Sequence, residues 1–428
     1  MKKRNQKQDK RVKKLILSTG LFAVLLVAST YAWFIGMQSV NVTAFDVKIA
    51  AIDGLALSLD GSSFSEEVTI NKGNFKTISY EGNQNVWGEL IPMSSMGIIN
   101  PGTSKLELYE KGSLTTTHGG YRLLASLVEN TKDKEADGYV AFDLFIKNLS
   151  GEEYYSDNNT DNEEAIYLTT DSEVTVANNG TKNETEGDFE GVPGTGIENS
   201  VRVAFAQIGR VKATTTDVGV ITGITCTPDT NVTGICERDA QIWEPNDTKH
   251  VKNAISWYEK SCLARNNPDL TKESSYSGDC GTIENGYTYK TYAVSGVITE
   301  DDQVDVYDGA DYNGYMGSVA PEHAEEGKLF AYPYFTDTMK NLEGVNRPEF
   351  ISLAPNSITK VRVYVYIEGQ DVDNYDFASL GRKISVAFGF TKERFFDEDV
   401  NYDDTETATL PDDVIKDNHY TEITTAND

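Results

Sequence analysis

Histidine is nearly absent from this chain of 428 residues, occurring only at positions 118, 250, 323 and 419. That scarcity removes most zinc chemistry. Glu322-His323-Ala324-Glu325-Glu326 lacks the second His, one helical turn away, that a His-Glu-x-x-His site requires. No Gly-x-Ser-x-Gly nucleophile turn and no phosphate-cradling Gly-rich loop occur either. Cysteine is limited to Cys226, Cys236, Cys262 and Cys280, with no Cys-x-x-Cys spacing to suggest a metal knot. Basic residues are scarce as well. Residues 1–32 hold 8 basic and 1 acidic side chains, and the rest of the chain carries 30 basic against 66 acidic. A surface that negative repels nucleic acid and anionic lipid, which excludes both as partners.

Only one long apolar run is present, and it lies at the start. Eight Lys or Arg precede Leu15, residues 15–28 are apolar, and Thr30-Tyr31-Ala32-Trp33-Phe34 follows. A basic stretch, an apolar core and a small residue before a cut describe an export signal. Ala32 fits the position before the scissile bond, which places cleavage between Ala32 and Trp33 and makes a signal peptidase a partner. A competing reading stays open. Residues 15–37 carry no charge over 23 positions, enough to span a bilayer as an uncleaved anchor. On both readings the body of the chain is extracytoplasmic, at the cell surface or beyond it.

In that compartment four clustered cysteines read as two disulfides. Three pairings are open. Short loops close most easily, which favours Cys226–Cys236 and Cys262–Cys280.

Period-two alternation dominates the body. Val140, Phe142, Leu144 and Ile146 share one strand face, with Ala141, Asp143, Phe145 and Lys147 on the other. Val201, Val203 and Phe205 repeat the pattern, as do Val361 to Ile367, Ile384 to Phe390 and Phe45 to Ala51. Strands of this kind, punctuated by Gly, Asn and Asp, predict an all-β antiparallel sandwich. The best helical pattern runs over 247–265, capped by Asp247 or Asn246, with shorter candidates at 320–326 and near 335–342. A hairpin is expected over 286–298. The expected division is a sandwich over 33–210, a disulfide-stapled insertion over 211–329 containing the short helix, and completing strands over 330–395. Residues 396–428, with eleven Asp or Glu and one Lys, are expected to be a disordered acidic tail.

Calcium is the one metal with candidate donors. Asp157, Asn159 and Asp161 place oxygens at alternate positions of one acidic loop, and Asp371, Asp373 and Asp376 do so in a second. Against this, Asn162 stands where a Gly is usual and Thr169 lies near the place of the closing Glu. Solvated acidic loops are the plainer explanation. Trp243-Glu244-Pro245-Asn246 sets a Trp beside an acid, which packing and a helix cap explain. Sequons such as Asn148-Leu149-Ser150 and Asn231-Val232-Thr233 are too frequent here to carry weight. Tyr is abundant, 23 residues, and Tyr364 and Tyr366 are expected on an outward strand face, where a ladder of rings would meet a protein or glycan partner.

Thr30-Tyr31-Ala32-Trp33-Phe34 followed by Asn41-Val42-Thr43-Ala44-Phe45-Asp46-Val47 resembles the start of the TasA/camelysin family, Gram-positive matrix proteins released by a SipW-type signal peptidase. The segment 361–371 and the final strand 383–391 are similar to closing strands of related exported proteins. The chain is much longer than a typical member, and its insertion and tail do not match. The resemblance implies a jelly-roll-like sandwich that self-associates into biofilm fibres, with residues 33–45 adding as a strand to a neighbour's sheet. The lack of catalytic and zinc motifs makes a structural, non-enzymatic protein the leading expectation. A membrane-anchored adhesin or ligand-binding sandwich and an extracellular hydrolase are the alternative expectations.

Overall fold

The computed structural model describes residues 46–51, 54–88, 90–117, 120–128, 134–150, 153–176, 196–256, 283–289, 291–294, 329–374 and 384–393. Ala32, Trp33, Cys262, Cys280 and Asp376 lie outside them, as do the segment 33–45, the helix candidate at 320–326 and the tail. No helix among the described residues is long and apolar enough to cross a membrane.

The described residues are mostly strands, in an all-β arrangement built on two large sheets. The six-stranded sheet runs Ile351–Leu353, Glu164–Leu168, Ile384–Thr391, Asp46–Ala51 and Glu67–Asn71, with Glu173–Val176 also on Ile384–Thr391. The eleven-stranded sheet is centred on Ser357–Glu368, flanked by Val201–Lys212 on one side and Val140–Asn148 on the other. Residues from both sheets meet in one apolar core, as the alternation predicts: Val47, Ile49, Phe142, Leu144, Val203, Val363, Val365, Val386 and Phe390 are all fully buried there. Phe205 anchors it, with its ring edge-to-face against Phe350, Phe388 and Phe390 at 5.0 to 5.8 Å.

Three features depart from the sequence expectation. The sheets are mixed rather than purely antiparallel. Asp46–Ala51 pairs in parallel with Ile384–Thr391, as do Gln241–Glu244 with Phe335–Thr336 and Ser357–Glu368 with Pro92–Ser94. Long connections separate each pair in the chain, and long crossovers are what parallel pairing requires. Second, Thr233–Gly234 and Gln241–Glu244 lie along Val201–Lys212 in the same sheet, so this part of the cysteine-bearing stretch is laid against the sandwich. Cys226 and Cys236 stand with Cα atoms 5.3 Å apart and bonded sulfurs, compatible with the sequential pairing. Third, the helical turn at 252–256 starts five residues later than the sequence pattern places it, and neither Asn246 nor Asp247 caps it. Asn246 sits at a positive φ of 59° and Asp247 accepts from the Thr338 N–H instead. A short helix does form at Asp337–Lys340, capped by Thr336. Tyr292–Val294 pairs with Leu329–Ala331.

The largest correction concerns Tyr364 and Tyr366. Both are fully buried and present no ladder to a partner. The second face of the central strand is covered by a further apolar layer that includes Met93, Leu106, Leu108, Ile221, Ile224, Ile242 and Tyr334. Tyr364 is well served there: its hydroxyl donates to Glu135 Oε1 at 2.9 Å and accepts from the Leu106 N–H at 3.0 Å. The Tyr366 hydroxyl has no hydrogen-bond partner among the described residues. Removing a satisfied buried hydroxyl strands its partners, whereas removing an orphan one relieves a cost. Tyr364→Phe should therefore lower the unfolding free energy by about 1–3 kcal/mol, and Tyr366→Phe should leave it unchanged or raise it. Urea unfolding of the two variants checks this, and equal losses would contradict the assignment.

Candidate functional site

One polar network of the covered face lies at the C-terminal end of the central strand. Arg202 stands opposite Tyr366 in the register of the two central strands and is fully buried. Its Nη1 donates to the carbonyls of Asn199 and Val201, and its Nη2 donates to Glu244 Oε1, Thr291 Oγ1 and Asp371 Oδ2. The guanidinium lies 4.8 Å from the centre of the Tyr334 ring, and the Tyr334 hydroxyl donates to Glu368 Oε2 at 3.0 Å. One cation thus binds Glu244 and Asp371 from two separate places in the chain, and Glu368 joins them through Tyr334.

Electrostatics sort these acids. Burial pushes the Glu368 carboxyl up to about 8, although Arg202 works against the shift. Burial thus shifts Glu368 toward its protonated form at neutral pH. Burial also raises Glu244, opposed by Arg202.

The second acidic loop continues from this cluster. Asp371 Oδ1 accepts from the Ser200 hydroxyl at 3.2 Å and the Asp373 N–H at 2.8 Å. Asp373 Oδ2 lies 2.9 Å from His250 Nδ1, and its Oδ1 accepts from the Val251 N–H at 3.0 Å, where the turn 252–256 begins. Asp373 therefore does the capping that Asn246 or Asp247 was expected to do. Gly196, at a φ of +92°, lets this loop close, since a Cβ there would stand 2.8 Å from Val251 Cγ2 and 3.0 Å from Asp373 Oδ1. The other ring nitrogen of His250 donates to the Tyr287 carbonyl at 3.1 Å. Burial disfavours the imidazolium, but Asp373 and Asp371 outweigh burial and raise the His250 pKa.

The first acidic loop is held by two guanidinium groups. Asp157 Oδ1 accepts from the Asn159 N–H at 3.1 Å, and Asn159 Oδ1 from the Asp161 N–H at 3.1 Å, so both act as local turn caps. Arg210 reaches the Asp157 carbonyl, and Arg238 reaches the Asn158 carbonyl and side-chain oxygen. Buried Glu163 pairs with both arginines. Among the described residues no cluster of three or more His, Cys, Asp or Glu is arranged around a metal position. Asp157, Asn159 and Asp161 stay together in one loop, as do Asp371 and Asp373 in the other, but the latter pair faces Arg202 and His250.

Trp243 is packed in the sandwich core with its Nε1 donating to Asp337 Oδ1 at 2.8 Å, while its neighbour Glu244 serves Arg202. Sequence reasoning missed Arg202 and Glu368. The available signal was a charged residue on the polar side of an alternating strand, at Arg202 and again at Glu368. Beside the disulfide lies a cleft of about 370 Å³ lined by Ile98, Pro101, Pro228, Glu237 and Asp239. Comparison of the chain with protein-family models, with curated proteins and with solved structures finds no match.

The sign of the pH dependence follows. Glu368 and His250 bind protons more tightly folded than unfolded, so their stabilisation is complete below their ordinary values, 4.5 and 6.5, and is lost as pH rises through the folded values. Asp143 and Glu163 are lowered, in each case against burial, Asp143 chiefly by Arg362 and Lys360 and Glu163 by Arg238 and Arg210. Their contribution is present above the usual carboxylate range and lost in acid. The thermal midpoint should peak between about pH 5 and pH 6 and fall toward about pH 8.5. Glu368→Gln, which mimics the protonated acid, should flatten the alkaline limb. A midpoint that rises across that limb in the parent chain would refute the assignment.

Proposed function

We propose that the chain is an exported, non-enzymatic structural protein of the cell surface or extracellular matrix, with a jelly-roll-like sandwich as its body. In this reading the signal is cut between Ala32 and Trp33, and residues 33–45 associate with a second copy by adding a strand to its sheet.

The observation that supports this reading is the position of the first described strand. Asp46–Ala51 is hydrogen-bonded on both edges, to Ile384–Thr391 and to Glu67–Asn71, and buries Val47, Ile49 and Ala51. The strand that closes the sandwich thus begins directly after the segment 33–45, which is uncharged. The body has its N-terminal strand satisfied without using that segment. Strand addition requires such a segment, because main-chain hydrogen bonds supply the affinity and uncharged side chains fill alternate positions.

Electron microscopy of protein beginning at Trp33, compared with protein beginning at Asp46, tests the proposal in moderate salt with and without calcium. Fibres from the longer chain alone are expected. Dispersed particles from both chains would overturn fibre assembly and favour a monomeric adhesin, with the cleft beside the disulfide as its first candidate surface. Fibres that need calcium would assign the acidic loop 157–161 a role in assembly.

A further inference from the structure

Asn148, Glu164 and Lys392 converge where the two sheets meet. Asn148 ends the strand Val140–Asn148 of the eleven-stranded sheet and is fully buried. Lys392 follows the strand Ile384–Thr391, and Glu164 opens Glu164–Leu168, both in the six-stranded sheet. One oxygen serves both neighbours: Glu164 Oε2 accepts from Asn148 Nδ2 at 2.9 Å and lies 3.0 Å from Lys392 Nζ. The second N–H of the Asn148 amide donates to the Ala354 carbonyl at 3.1 Å, which fixes which end of the amide is nitrogen. The Ser150 hydroxyl is 2.8 Å from Asn148 Oδ1 and also contacts Glu164 Oε2. An amine, an amide and a carboxylate that touches both are thus held together, with a hydroxyl at the amide oxygen.

We propose that Lys392 and Asn148 form an intramolecular amide cross-link between the two sheets, with Glu164 as the proton carrier. Glu164 takes a proton from the Lys392 ammonium, freeing the Nζ lone pair to attack Asn148 Cγ. The C=O electron pair moves onto Oδ1, where the Ser150 hydroxyl donates to the developing charge. Glu164 returns its proton to Nδ2 and accepts the remaining proton from Nζ. The Cγ–Nδ2 bond then breaks, and the nitrogen leaves with that last proton as ammonium. One C–N bond forms, one breaks, and no oxidant or co-reactant is consumed. Holding the amine and the amide against one carboxylate oxygen converts a slow condensation into an intramolecular one. Glu164 is suited to begin the sequence. Burial alone would raise it, but hydrogen bonds from Ser150, Asn148 and Lys392 hold it below its ordinary value, in the base form. Lys360 beside Asp143 is a different case, because that carboxylate is clamped by Arg362 and offers no amide nitrogen to expel.

The test is peptide mass mapping of the purified full chain after disulfide reduction and digestion. A branched peptide joining residues 148 and 392, lighter than its two components by one ammonia, is expected. It should be missing from Glu164→Gln and from Lys392→Arg, which keeps the charge beside Glu164. Folded parent protein, aged before digestion, that yields only the two linear peptides overturns the proposal. So does hydrolysis of Asn148 to Asp without a branch. A branched peptide that persists in Glu164→Gln overturns the role given to Glu164. The cross-link does not depend on fibre assembly, and the mapping reads it whether or not fibres form.

Discussion

Lys360, Arg362, Tyr364, Tyr366 and Glu368 share one face of a strand in which every residue is buried. Taking two ions, two phenols and an acid from water is costly without counter-charges or hydrogen bonds; all but the Tyr366 hydroxyl find them, and most of the second layer is organised around that demand. Arg362 binds Asp143 through Nε at 2.7 Å and Glu135 through Nη1 at 3.1 Å. Glu135 in turn accepts from Tyr364 and, at 2.8 Å, from Tyr139. Lys360 lies 3.3 Å from Asp143 and donates to the Thr222 carbonyl at 2.9 Å. Arg362 Nη1 also donates to Gln84 Oε1 at 2.7 Å, so these partners come from segments around residues 84, 135, 143 and 222. The layer therefore cannot shift over the sheet without exposing several charges to an unpaired interior at once.

Arg202 plays the corresponding part at the end of the strand. Its ligands lie at 199, 201, 244, 291 and 371, so one guanidinium fixes the relative positions of four chain segments. A lysine could not replace it, because the planar fork directs several donors at once whereas an ammonium is a point charge. The neighbouring His250–Asp373 pair extends the same network to the turn 252–256 and the Tyr287 loop. Arg210 and Arg238 do comparable work around Glu163, where they take up the Asp157 and Asn158 carbonyls of the first acidic loop. In a chain with so large an excess of acid, arginines are concentrated where cations are needed inside.

The sandwich core was legible in the sequence because its signal is local. Val140 to Ile146 and Val361 to Ile367 show their core face by alternation alone, and that face is the one buried between the sheets. The second layer was not legible for the same reason. Alternation reports that Arg362, Tyr364 and Tyr366 point away from the first core, but water and a polar cover look identical from one strand. The cover is declared only by complements outside the strand: Asp143 on the neighbouring strand, Glu135 in a loop and Tyr334 ahead of the short helix Asp337–Lys340. Helix boundaries failed on a similar point. Asp247 has the right chemistry for a cap, yet the carboxylate that meets the start of the turn belongs to Asp373, more than a hundred residues away in sequence.

The proposed strand donation must be reconciled with this rigidity and with the charge of the body. A donor segment that belonged to the core would have to leave a cavity behind. Val47, Ile49 and Ala51 already fill the positions between Ile384–Thr391 and Glu67–Asn71, so the strand Asp46–Ala51 itself need not leave. Accepting a strand needs a free edge, and in the six-stranded sheet Glu67–Asn71 and Ile351–Leu353 are terminal in the pairing order of the described strands. Glu67–Asn71 is half-buried, with only Ile70 fully buried, so a visitor on its outer edge would extend the sheet without displacing the core. The obstacle is electrostatic: beyond residue 32 the chain carries more than twice as many acidic as basic side chains, and two such bodies repel over about 10 Å at 0.1 M salt. Association through a short uncharged strand keeps the acidic bodies at the distance the linker allows, whereas face-to-face packing would bring them together. The assembly proposed is therefore a chain of sandwiches joined through thin strand contacts, since a compact oligomer with a broad interface would set acidic faces against each other.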